Sequence, residues 1–283
     1  MKLLTLNTHS LEEPGYVEKT EKFIEMLVKE QPDIVALQEV NQSQNAAELP
    51  DVMLDGYTRC GGFELAVRAD NHAAYVVKEL RKRGIYYDWT WISAKTGYGK
   101  YDEGMALLSR KPITRVQQFL ISKTDDYENW KTRRTLGIQP EGSSDWFFTV
   151  HMGWWNDGEE PFADQWKCIQ EALKDPEYGE GIIWLMGDFN SQADVRGEGY
   201  DLVLKSGWKD TYLLAEEKDD GITVAEEIDG WREEDGRSGS TKNEKRLDYI
   251  FCNTPADVRS SNVICNGKNA PVVSDHYGVM ITV

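Results

Sequence analysis

The chain has 283 residues, enough to bury a large core, and sets 32 basic against 49 acidic side chains for a formal net charge of −17. That balance counts against a protein that tracks a nucleic-acid backbone, because such binding is driven by neutralising phosphates along a basic stripe. No stretch approaches membrane-spanning length, and Cys60, Cys168, Cys252 and Cys265 lack metal-site spacing, so reduced thiols in a cytoplasmic protein are expected.

In chain order, residues 3–7 read as an apolar strand rather than as the core of a signal peptide. Residues 17–30 place Phe23, Ile24 and Leu27 on one helical face, and Gln31-Pro32 stops that helix. Residues 33–40 form the next strand, apolar through Ile34, Val35, Ala36 and Leu37 and closing on Gln38-Glu39. Asp70 is placed to cap a helix that turns Ala73, Val77 and Leu80 inward and ends at Gly84. The basic cluster 78–83 on that helix reads as a solvated face, and 131–134 as a helix face or strand edge. Strands follow at 105–109, 116–121 and 146–151, a helix at 162–173, a buried strand at 182–186, and closing strands at 249–252 and 279–283. Continuous apolar strands need cover on both faces, so two packed sheets with helices outside are expected. No linker, repeat or biased tract interrupts the chain, and residues 1–283 are expected to form one domain.

Polar groups stand where these apolar runs stop. Glu39 follows a run whose other members are apolar, so its carboxylate points into a pocket or meets a cation, and a hard divalent ion takes such oxygen ligands. Asn7 ends the first strand and can add an amide oxygen or orient a water. In Gly187-Asp188-Phe189-Asn190, Asp188 and Asn190 lie two apart and point the same way on an extended backbone. Asp188 can then take a proton from an attacking water while Asn190 orients a phosphate oxygen; an Asx turn closing the strand accounts for the tetrapeptide equally well. In Ser274-Asp275-His276 a carboxylate adjoins an imidazole that can stabilise charge at phosphorus, with Asp248 fixing its tautomer. Asp275 is alternatively a metal ligand. His151 is a second donor to phosphoryl oxygens. Of the 4 histidines, His9, His151 and His276 fall in these motifs.

Taken in order, Thr5 to Thr8, Leu37 to Val40, Gly104 to Arg110, Thr149 to His151, Gly187 to Asn190, Arg246 to Phe251 and Ser274 to Gly278 resemble the endonuclease/exonuclease/phosphatase superfamily. The resemblance spans nearly the whole chain. It implies an α/β fold, a four-layer α/β/β/α sandwich of two packed mixed sheets flanked by helices, with a site at the strand ends between the sheets. It further implies metal-dependent cleavage of a phosphoester, with Mg²⁺ as the ion and Mn²⁺ an alternative. By position it gives metal binding to Glu39 with help from Asn7, water activation to Asp188, phosphate contacts to His151, Asn190 and His276, and support of His276 to Asp248.

The superfamily does not fix the substrate, so residues between the motifs must. The aromatic stretch 86–91, the stretch 95–103 and the stretch 151–157 offer flat faces that suit a sugar ring or a base. Trp154, Trp155 and Tyr98 are candidates for such stacking, Asp102, Asn156 and Asp157 for hydroxyl groups, and Lys95, Lys100 or Arg133 for phosphate. Trp89 and Trp91 suit a core equally well. The opening decapeptide, Tyr-Asp-Trp-Thr-Trp and Gly-Tyr-Gly-Lys-Tyr-Asp-Glu-Gly are similar to a bacterial branch containing maltose 6'-phosphate phosphatase. That similarity implies a cytoplasmic phosphomonoesterase acting on a sugar phosphate, a disaccharide 6'-phosphate such as maltose 6'-phosphate being favoured. A nuclease built on the same core is the alternative, with nucleic acid the less favoured partner and no membrane partner expected.

Overall fold

The computed structural model describes residues 1–226, 228 and 244–283. Among them, one sheet contains β1 (Lys2–Asn7), β2 (Ile34–Ser43), β3 (Asp88–Gly97), β4 (Tyr101–Ser109), β10 (Glu217–Lys218), β12 (Ser260–Ile264) and β13 (Gly278–Thr282), in the order β10-β12-β13-β1-β2-β4-β3. The other contains β5 (Ile113–Leu120), β6 (Arg134–Pro140), β7 (Trp146–His151), β8 (Ile183–Asp188), β9 (Lys209–Asp210) and β11 (Asp248–Cys252), in the order β5-β6-β7-β8-β11-β9. Both sheets are mixed: β1–β2 and β7–β8 are parallel, whereas β2–β4 and β8–β11 are antiparallel.

Each central strand is buried on both faces because its alternating side chains serve different layers. Leu3, Ile34, Ala36, Leu107, Phe147, Trp184, Met186 and Ile250 form the core between the sheets. The other face of the first sheet presents Leu4, Val35, Leu37, Trp89 and Trp91 to α1 (Tyr16–Glu30) and α2 (His72–Lys82), which contribute Phe23, Ile24, Leu27, Val77 and Leu80. The second sheet buries Trp146, Phe148, Leu185 and Phe251 under α3 (Phe162–Ala172) and α4 (Gly199–Lys205), through Trp166, Ile169, Tyr200 and Val203. α5 (Thr211–Leu214) is a single short turn. The result is the expected four-layer α/β/β/α sandwich. No helix among the described residues is long and apolar enough to cross a membrane.

Several sequence expectations change in detail. The strand expected to stop at residue 40 continues to Ser43, because a bulge at Glu39 lets it keep pairing with β4. Asn71, not Asp70, caps α2 by accepting from the Ala74 amide; Asp70 accepts from the Ser43 amide instead. Trp89 and Trp91 are core residues under the helices, 1% exposed, and their indoles donate to the Asp55 and Val40 carbonyls. The basic cluster on α2 is a solvated face in which Lys82 and Arg83 meet Glu79, and Arg83 also meets Glu21.

Candidate active site

The site caps the core between the sheets. Along β7 the inward positions run Phe147, Thr149, His151; along β8, Trp184, Met186, Asp188; along β11, Cys252, Ile250, Asp248. Strand register places His151 beside Asp188 and Asp188 beside Asp248, so the apolar rows end in three polar groups abreast. From the facing sheet, β1 ends on Asn7 and β2 brings Gln38 and Glu39. One layer below, Gln38 Nε2 donates to Thr149 Oγ1 at 2.8 Å and to Thr5 Oγ1 at 3.1 Å, tying the sheets together beneath the site.

Two bulges aim side chains into the cleft. Glu39 lies between paired Gln38 and Val40 at φ 52°, and Ala94 lies between paired Ser93 and Lys95. The Glu39 interruption faces the β4 step Met105–Gly104 and the Ala94 interruption faces Gly104–Glu103, so Gly104 is common to both, and a Cβ on it would meet the Ile92 carbonyl oxygen at 1.8 Å. Glycine there lets the bulged strands close on β4, and Lys95 and Glu103 face each other at 3.1 Å.

Hydrogen bonds then connect the polar groups. Asn7 Nδ2 donates to Glu39 Oε1 at 2.9 Å and to Asp188 Oδ2 at 3.2 Å, while its oxygen accepts from the His9 amide. Asp188 Oδ1 accepts the Asn190 amide at 2.8 Å, and Asn190 itself sits at φ 45°. His276 Nδ1 lies 2.9 Å from Asp248 Oδ2, with Nε2 turned toward Asp188 at 3.8 Å; His151 Nε2 approaches Asp188 at 3.6 Å.

Burial and neighbours divide the protonation states. Burial pushes the Asp188 carboxyl up to about 7; the His276 charge works against that and Asp248 adds to it. Burial alone would keep His276 neutral, but the carboxylates of Asp248 and Asp188 hold it well above its ordinary value. His151 moves the other way: burial, then Arg133, Lys95 and His276, hold it well below its usual range. One imidazole is therefore a cation and the other neutral within a single cleft.

The donor set fits a hard divalent cation. Glu39 is only half-buried and faces the cleft, yet burial and the charges of Glu103 and Asp275 push its carboxyl up despite His9 and the Asn7 bond. Glu103 meets Lys95 and Asp275 lies 4.0 Å from His9, but Glu39 makes no ion pair among the described residues, and an oxygen site partly open to solvent suits an ion that keeps some of its waters. Two groupings of potential ligands are each built around a histidine, and Asp275 belongs to the second of them as well as facing Glu39. Asp188 and Asp248 surround His276, while Glu13 and Asp275 surround His9, whose pKa is raised to about 9: burial opposes this, but the Glu13 bond and the charges of Glu39 and Asp275 outweigh it.

Glu39, His151, Asp188, Asn190, Asp275 and His276 border one cleft of about 260 Å³, and Asn7 is outside its lining. The same lining includes Tyr98, Trp130, Trp154 and Ile228, with the Trp130 and Trp154 rings 5.6 Å apart. Asp248 lies directly behind His276. Tyr98, Trp154, Lys95 and Arg133 thus reach the cleft, but the remaining substrate candidates do not border it. Trp155 packs on Phe162, and Lys100 pairs with Glu12 at 2.7 Å on the hairpin turn. Asp102 is buried among Gln42, Tyr127 and Arg68. Asn156 lies in the turn after the tryptophans and is likewise absent from the lining. Asp157 accepts from Lys131 and from the Glu159 and Glu160 amides, so it joins two loops rather than meeting the cleft.

Other lining residues were missed as site candidates. His9 is in the Asn-Thr-His motif, but its left-handed backbone, φ 47°, turns it to Glu13 and Tyr98 in a way strand periodicity does not show. Glu103 adjoins the candidate Asp102 and occupies the opposite face of β4. Trp130 carried no signal beyond its aromatic ring.

Known proteins set this geometry in context. No curated protein matches the chain. Among solved structures, an endonuclease/exonuclease/phosphatase family protein from Leptotrichia buccalis is 33% identical, with a TM-score of 0.82 over 100% of this chain and 98% of its own. Mannosyl-6-phosphatase Bt3783 of Bacteroides thetaiotaomicron shares the fold at 16% identity and TM-score 0.65, covering 100% and 98%. TDP2 of Caenorhabditis elegans shares it at 15% identity and TM-score 0.60, covering 100% and 74%. The model of the Endonuclease/Exonuclease/phosphatase family matches residues 4–276, from the first strand to the histidine that closes the site, and the chain belongs to that family of phosphoester hydrolases.

Proposed function

We propose that this protein is a Mg²⁺-dependent phosphomonoesterase that hydrolyses a small sugar phosphate, with a disaccharide 6'-phosphate such as maltose 6'-phosphate favoured. The observation that carries the reading is the mixed lining of one cleft: phosphoryl-handling groups share about 260 Å³ with the Trp130–Trp154 pair and Tyr98. That volume suits one small ester, and flat rings suit the C–H face of a sugar. The phosphatase name of the Bacteroides neighbour agrees with this reading.

In this reading Glu39 and Asp275 hold the ion, with Asn7 beside them. A bound divalent ion would supply Lewis-acid charge to the phosphoryl and leaving oxygens. Asp188, poised near 7, takes the proton of a water that attacks phosphorus in line. Asp248 keeps His276 protonated and oriented, so its Nε2 proton is available to a phosphoryl oxygen. His151 remains neutral and donates one N–H to a second oxygen, and Asn190 completes that wall.

The test is phosphate release with Mg²⁺ from maltose 6'-phosphate, trehalose 6-phosphate, glucose 6-phosphate, an inositol phosphate and a short DNA duplex. Preference for a disaccharide phosphate that disappears in EDTA supports the reading. Cleavage of the duplex with the sugar phosphates ignored replaces it with a nuclease.

A further inference from the structure

We infer that Arg133 is the receptor for the third oxygen and second charge of a terminal phosphate, and that it thereby selects phosphomonoesters over phosphodiesters. The inference rests on the phosphomonoesterase reading and names the residue that would enforce it. Arg133 immediately precedes β6, is 3% exposed, and lines the cleft together with Asp188, His151 and Asn190. Its Nη1 donates to the Trp130 and Thr132 carbonyls at 3.0 and 3.4 Å, whereas its Nε has no partner. No carboxylate among the described residues pairs with it, although neighbouring Lys95 is matched by Glu103 at 3.1 Å.

A guanidinium stays charged at any physiological pH, and holding that charge out of water with Glu103, Glu39, Asp188 and Asp157 acting on it only from beyond ion-pair distance is unfavourable. The position makes sense when an anion arrives. A phosphodiester offers one negative charge and two non-bridging oxygens, which His151 and His276 can serve. A terminal phosphate has a second pKa near 6, so at neutral pH it presents a further charge and a third oxygen. The planar fork of arginine matches such an oxygen pair better than an ammonium does. The competing account is mechanical: Arg133 braces the loop before β6 through its carbonyl bonds and through the Trp154 ring, 6.0 Å away. A brace would matter equally for every substrate.

The test compares Arg133→Gln and Arg133→Lys in the full chain, with Mg²⁺, on 4-nitrophenyl phosphate and bis(4-nitrophenyl) phosphate, with inhibition by inorganic phosphate measured alongside. Arg133→Gln is expected to lower kcat/KM for the monoester by about 100-fold or more and for the diester by less than about 3-fold. Arg133→Lys falls between, still selective against the monoester, and phosphate inhibition weakens in parallel. If Arg133→Gln does not fold, Arg133→Lys carries the comparison. Equal losses on both substrates from a wild-type enzyme that prefers the monoester overturn the role of Arg133 alone. A wild-type enzyme that prefers the diester overturns the phosphomonoesterase reading and this inference with it.

Discussion

Glu39 and Asp188 stand on different sheets and share one donor: Asn7 Nδ2 lies 2.9 Å from the first and 3.2 Å from the second. Two carboxylates in one cleft repel, and the amide between them offsets that repulsion while fixing their separation. Asn7→Ala removes the bridge and leaves both carboxylates in place. The Mg²⁺ concentration for half-maximal activity is expected to rise about 10- to 100-fold, the usual effect of losing a group that orients a metal ligand. A metal titration of activity checks this, and an unchanged requirement would show that Asn7 does not organise the ion site.

Asp188→Asn separates the chemistry from the fold. The amide keeps the shape but cannot take a proton, so kcat should fall on the order of 10³-fold. Stability should not fall. The folded carboxyl is raised from 3.8 to about 7, so the native state holds its proton more tightly than the unfolded chain and loses stability as pH rises through that window. The asparagine variant lacks this loss, so in chelator its advantage should grow up to about pH 7 and level off above. Thermal melts in EDTA from pH 5 to pH 8, on the order of three pH units, read out the difference. A variant that melts lower across the range would mean the carboxylate is structural.

The catalytic end of the cleft was legible because strands carry their own ruler. Along β8 and β11 apolar residues at every second position point inward, along β7 Phe147 and then Thr149 do, and the next inward position is the site residue. The substrate end was not legible for the same reason in reverse. Asp102 and Glu103 are adjacent, and only the register of β4 decides which one faces the cleft. Trp154 and Trp155 follow β7 in an irregular segment with no period to separate the ring that lines the cleft from the one that packs on Phe162. Asp70 and Asn71 are both good capping residues, and Asp70 is occupied by the distant Ser43 amide, 27 positions away. The bulge at Glu39 hid the last residues of β2, since a polar tail after a carboxylate resembles a loop.

Gly187 links the inner row of β8 to Asp188 and admits no side chain. A Cβ there would lie 2.0 Å from the Val150 carbonyl oxygen, on a backbone with φ +152°. Gly187→Ala should therefore cost about 3 kcal/mol or more, since backbone must move in a packed strand. Gly15→Ala is the control: it also has positive φ, +75°, but a Cβ meets nothing within 4 Å. Its cost should stay near 1–2 kcal/mol, roughly the left-handed backbone penalty alone. Urea unfolding of the two variants reads the gap, and equal losses would show that β7 and β8 separate more easily than their contacts indicate.

His72 places one source of acid sensitivity under α2, outside the catalytic cleft. Its ring is 3% exposed against Phe23; Nδ1 meets the Tyr16 hydroxyl at 3.1 Å and Nε2 has no partner. Burial lowers its pKa from 6.5 to about 4. Between those values the unfolded chain binds a proton that the native state refuses, so stability falls as pH drops from 6.5 toward 4 and is insensitive to this group above 6.5. At about 1.4 kcal/mol per pH unit the loss approaches 3 kcal/mol across the window. His72→Gln should lower stability at neutral pH through poorer packing, yet flatten its decline between pH 6.5 and 4. The slope, not the absolute value, is diagnostic, because a packing defect shifts the curve uniformly whereas a titrating group bends it. A variant whose stability falls as steeply as the wild type in that window would place the acid sensitivity in other groups.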